Sequence, residues 1–137
     1  MAIAYKESIR NARMDLVTGA VDAGAGAGTI RMYDGTRPAT GSAITTEVLL
    51  AEPVFNDPSF ASSASGSITA NVVPDVEDTG ASAVGELSWF RVVDSNGLFV
   101  FDGDIGLSGS DLNVNTLTTA IGVNVKIISF VLNSGNA

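Results

Sequence analysis

Residues 88–106, SWFRVVDSNGLFVFDGDIG, constrain the fold more than any other run in the chain. Two apolar stretches flank Asn96-Gly97, the dipeptide that best supports a tight hairpin turn. A two-residue turn there pairs Val92 with Phe101 and Arg91 with Asp102. A four-residue turn over Asp94 to Gly97 shifts the pairing by two and leaves the faces unchanged. Either way Phe90, Val92, Phe99 and Phe101 share one face, the predicted core face. The other face carries Trp89, Arg91 and Val93 beside Leu98, Val100, Asp102 and Asp104. A solvated sheet face is more polar than this. Something must therefore cover it: the N-terminal helix, a long loop or another subunit. Buried Trp and Arg commonly anchor subunit contacts, which makes Trp89 and Arg91 candidate partner-binding residues.

Period-two patterning extends over the chain from Thr29 onward. Strands are expected at residues 29–33, 45–51, 67–73, 83–93, 98–102 and 111–115. The longest apolar run, residues 123–132, is expected as a central strand contributing Val125 and Ile127 to the core. Pro53, Pro58 and Pro74 break the pattern, and residues 75–80 form an acidic turn. Short strands separated by such turns predict a mainly β protein, an antiparallel β-sandwich or jelly-roll-like domain over residues 29–137. One helix precedes it. In residues 5–21, Ile9, Ala12, Leu16, Val17 and Ala20 recur at helical spacing as an apolar stripe. Asp22 and the alternating Gly24, Gly26 and Gly28 then stop the helix and make a connector. Residues 1–28 are thus expected to form a helical arm.

At 137 residues the chain can enclose one sizeable core. It contains no Cys and no His, which removes disulfides, thiolate metal sites and imidazole-based catalysis. Asp102-Gly-Asp104, with Asp94 and Asn96 nearby, lacks the spacing of a calcium loop, and a turn with cross-strand charge pairing accounts for it. Nothing sets Glu77, Asp78 and Glu86 about 5–9 Å apart across a sugar. The glycines at 24, 26 and 28 follow a helix and precede a strand, the reverse of a phosphate loop. No catalytic residue, metal or cofactor is therefore assigned, and a non-enzymatic role is expected. Net charge is −8, but residues 1–37 hold five basic side chains against four acidic ones. Residues 38–137 hold Arg91 and Lys126 against all the remaining acids. So acidic a body should repel nucleic acid. The less acidic N-terminal segment, with Tyr5, Lys6, Arg10 and Arg13, is the second candidate partner-binding element. No apolar run approaches the roughly 20 residues of a membrane helix, and no secretory signal is expected at the N-terminus.

A set of motifs runs in order along the chain: NARMDL at residues 11–16, GTIRMYDG at 28–35 and PATG at 38–41. FNDPSF at 55–60, WFRVVDSNG at 89–97 and DGDIGLSGSDLNVN at 102–115 complete it. In this pattern the chain resembles a group of small structural proteins of tailed bacteriophages and prophages. The resemblance implies a virion component on the capsid surface, made in the host cytoplasm. It implies a decoration or cement protein that binds the major capsid protein and its own copies, as a homotrimer. Two alternatives stay open. One is a carbohydrate- or receptor-binding β-sandwich of a head or tail fibre, for which Trp89 and Tyr33 are the candidate aromatic platforms. The other is a tail-tube or head–tail joining component.

Overall fold

Glu7–Val21 form the helix, α1. The computed structural model describes residues 3–135; residues 1–2 and 136–137, the outer ends of the two expected segments, lie outside the described residues. The helix does not hang as an arm. Val21 is fully buried, and Met14 and Val17 pack on the core. Its inner face also presents Glu7, Arg10 and Asn11 to a distant turn. Glu7 Oε1 accepts from the Ser65 amide and Asn11 Oδ1 from the Gly66 amide. The Arg10 guanidinium donates to the carbonyls of Ser65 and Ser134 at 2.9 and 3.2 Å. After the helix, Asp22 Oδ1 accepts from the Ser59 amide at 3.0 Å. A Cβ on Gly28 would lie 2.8 Å from the carbonyl oxygens of both Val21 and Val93, so the connector threads a gap that fits only glycine.

The expected apolar stripe is split by this docking. Val17 faces the core, whereas Ile9, Ala12, Leu16 and Ala20 face solvent, with Ile9 47% and Leu16 74% exposed. Apolar residues occur on both sides of α1, and the polar clamps to Ser65, Gly66 and Ser134 select which side turns inward.

The strands are β1 (Thr29–Tyr33), β2 (Leu49–Ala51), β3 (Ser67–Thr69), β4 (Glu77–Asp78) and β5 (Gly85–Glu86). They continue with β6 (Trp89–Val93), β7 (Phe99–Gly106), β8 (Leu112–Val114), β9 (Thr118–Thr119) and β10 (Val125–Asn133). The main sheet runs β2-β1-β6-β7-β8-β10-β3, with β4 also pairing β10 and a separate β5–β9 pair. Among the described strands every pairing is antiparallel except a two-residue parallel contact of β7 with β8. Phe90 on β6 meets Phe130 on β10 at a ring separation of 5.2 Å, although three strand spacings, about 14 Å in a flat sheet, separate them. The sheet therefore curls over and encloses its own core. Phe55, Phe60 and Phe101 join Phe90 and Phe130 there. The expected mainly β, sandwich-like fold with one helix is the one observed.

Several elements differ in extent. The strand expected at 45–51 begins only at Leu49, and the one at 67–73 ends at Thr69. Residues 83–93 break into β5 and β6. Glu77–Asp78 pair with β10 where a turn was expected, and Thr118–Thr119 add a strand that the patterning did not indicate.

Candidate functional site

Of the two registers the sequence allowed, the hairpin of β6 and β7 takes that of the two-residue turn over most of its length: Val92 lies opposite Phe101 and Arg91 opposite Asp102. Near the turn it departs. Gly97 N–H donates to the Asp94 carbonyl at 3.0 Å, and the Asp94 carboxylate accepts from the amides of Asn96 and Leu98. Gly97 takes the left-handed conformation, φ +81°, that this turn requires. The loop so closed pairs Val93 with Phe99, and Val100 is then a bulged extra residue before Phe101 meets Val92. A bulge reverses facing. Phe101 packs edge-on against Phe90, as predicted, but Phe99 leaves the core face and is 40% exposed. It lies instead beside Arg91, whose guanidinium carbon is 5.2 Å from its ring centroid.

The β6 side of the second face is enclosed within the chain, whereas Leu98 and Asp104 across the hairpin stay exposed. All five residues of β6 are buried, Trp89 completely. The cover is the connection between β1 and β2, residues 34–48, one of the three possibilities the sequence left open. Tyr33 stacks on Trp89 at 4.6 Å, and the indole N–H donates to the Asp34 carbonyl at 3.1 Å. Arg91 and Asp102 form a two-pronged pair, Nε to Oδ1 at 2.7 Å and Nη2 to Oδ2 at 3.0 Å. Their side chains are 9% and 1% exposed. The pair also grips two adjacent residues of the loop: Gly41 N–H donates to Asp102 Oδ2 at 3.1 Å, and Arg91 Nη1 donates to the Ser42 carbonyl at 2.8 Å. Hydrogen bonding to Asp102, opposed by burial, holds Arg91 still more firmly protonated than a free guanidinium.

Trp89 and Arg91, proposed from sequence as anchors between copies, thus spend their contacts inside one chain. The basic N-terminal residues divide. Arg10 is clamped as described, while Arg13 reaches Ser134 Oγ at 3.5 Å and lies 4.0 Å over the Tyr5 ring. Lys6 is exposed at the start of α1, and Tyr5 is half-buried. Lys6 and Arg13 border the outward stripe of Ile9, Ala12, Leu16 and Ala20, because residues 6, 9, 13, 16 and 20 fall on one side of a 3.6-residue helix.

Of the acidic residues weighed for chemistry, Glu86 is exposed on β5 and the others have local duties. Asp94 closes its turn, Asp102 pairs with Arg91, and exposed Asp104 lies 3.5 Å from Arg37. Glu77 accepts from Asn124, and Asp78 from the amides of Glu52 and Gly80. Among the described residues no cluster of three or more metal-ligating side chains is present, and no helix is long and apolar enough to cross a membrane. Nothing in the sequence marks the loop contacts of Asp34, Gly41 and Ser42; the one available signal is the pairing of Arg91 with Asp102, which brings a fork donor and a two-oxygen acceptor together. No protein-family model, curated protein or solved structure matches this chain.

Proposed function

We propose that this protein is a non-enzymatic structural component of a tailed-phage virion, a decoration or cement protein bound to the major capsid protein lattice at the capsid surface. The motif order from residue 11 to residue 115 supports the class. The observation that carries the contact is the outer face of α1: Ile9 and Leu16 stand exposed on a helix whose inner face is fixed to the β body. A ridge presented on a rigid support loses little freedom when it docks, unlike a swinging arm. Lys6 and Arg13 along its border suit a partner groove with an acidic edge. Contact between copies through Trp89 and Arg91 is not part of this reading, because both are enclosed. The sugar-binding alternative loses its platforms for the same reason, since Tyr33 and Trp89 are buried against each other.

The test is co-sedimentation with capsid shells of the phage or prophage that encodes the gene. The paired substitutions Ile9→Glu and Leu16→Glu should leave the thermal melt within a few degrees of wild type, since both sites are exposed. They should weaken binding at least about 30-fold, the effect of losing roughly 2 kcal/mol at a central contact. Undiminished binding by a folded variant would refute the assignment of α1, and absence of shell binding by the wild type would refute the function.

A further inference from the structure

The connection that covers the hairpin face has an unusual balance of burial. No residue from Gly35 to Val48 is buried, yet Tyr33, Trp89, Arg91 and Val93 beneath or beside it are. Its two ends are fastened to each other: the Asp34 amide donates to the Val48 carbonyl at 3.2 Å, and the Val48 amide to Asp34 Oδ1 at 2.6 Å. Between these ends the segment contributes nothing to the hydrophobic core. Its middle is held by the Arg91–Asp102 grip on Gly41 and Ser42, by the Phe99 ring, and by the exposed contact of Arg37 with Asp104. Such a loop, closed at its ends and resting on a few polar tethers, belongs to the low-stability end of a structure.

The geometry points to residues 34–48 as a strap that opens as one unit while the sheet stays folded, with the Arg91–Asp102 pair as its buckle and Gly41 as the tongue. Gly41 takes φ +71°, and a Cβ there would lie 3.2 Å from the Phe99 ring, so only glycine seats without strain. The ion pair lies wholly on β6 and β7 and persists when the strap lifts. Opening breaks the hydrogen bonds of Gly41 and Ser42, the fastening of Asp34 to Val48 and the bond from the Trp89 indole N–H to the Asp34 carbonyl, and exposes Arg91 and the inner side of Phe99. The device stands apart from the α1 ridge and does not depend on the capsid reading.

Hydrogen exchange followed by nuclear magnetic resonance tests it, because the chain has a single Trp and hence one indole N–H signal. In the full-length wild type, the amides of Gly41 and Val48 should exchange together with the Trp89 indole N–H. All three should exchange at least about tenfold faster than the backbone amides of Phe90 and Val92, as expected for sub-global opening. Gly41→Ala should speed the strap set and the indole by a further ~10-fold, the effect of forcing a side chain into the left-handed region. It should leave the β6 amides unchanged. The strap is overturned if the wild-type indole exchanges with the β6 amides. It is equally overturned if Gly41→Ala speeds both sets alike or neither.

Discussion

Replacing Asp102 with Ala gives the sharpest test of how the hairpin face is held. The side chain is 1% exposed, and its two oxygens accept from Arg91 Nε, Arg91 Nη2 and the Gly41 amide. Its removal leaves the Arg91 guanidinium buried without an anion, with Trp89 and Phe99 at 5.5 and 5.2 Å as weak compensation. Breaking a buried pair from one side destabilises by about 3–5 kcal/mol, a large share of the roughly 5–15 kcal/mol that holds a domain folded. In urea this lowers the midpoint by about 2 M for a slope near 2 kcal/mol/M. The desolvation argument makes a second, opposite statement. Replacing both partners by apolar residues of similar size, Arg91→Met with Asp102→Leu, removes the unpaired charge along with the pair. The double variant should recover most of the loss and lie within about 1–2 kcal/mol of wild type. The strap atoms it releases, Gly41 N and Ser42 O, belong to exposed residues and can be hydrated. Urea titrations of wild type, Arg91→Met, Asp102→Leu and the double variant form a double-mutant cycle. A loss below about 1 kcal/mol for Asp102→Ala, or additive effects of the two substitutions, would refute the view that this pair is buried and coupled.

Phe101→Ala should cost about 3 kcal/mol or more, because its ring packs on Phe90 and Phe130, whereas Phe99→Ala, at a 40%-exposed ring, should cost less than half as much; equal losses in denaturant titration would mean the bulge at Val100 is wrong. Tyr33 supplies a pH test. Burial, partly offset by Arg31 and Arg91, raises its phenol above the ordinary value, so its contribution is fully present below about pH 10 and lost as the pH rises through the folded value. Stability should therefore fall more steeply above about pH 10 than in a Tyr33→Phe variant, and identical slopes in the two proteins would contradict the burial of this side chain.

By itself the sequence determined what is local. The alternation from Thr29 onward, the single helix and the Asn96-Gly97 turn follow from periods of two and 3.6 residues and from glycine's access to positive φ. The register that faces Arg91 with Asp102 was one of two that the turn allowed, and the structure reaches it through the bulge at Val100. The sequence also posed the covered face as a problem, since Trp89 and Arg91 cannot both sit comfortably in water on a bare sheet. Tertiary structure alone decided the rest, for reasons of sequence distance. Phe99 left the core because one bulged residue reverses parity, and the Asp94 carboxylate that shapes the turn could equally have served another. The face of α1 that turned inward was chosen by Ser65, Gly66 and Ser134, more than fifty residues from their partners Arg10 and Asn11. The identity of the cover was decided by Gly41 and Ser42, two small residues whose backbone groups fit the free edges of an ion pair formed about 50 residues later. No period encodes such a match, because a backbone amide and carbonyl are available at almost every position and only the folded sheet brings these two to Asp102 and Arg91.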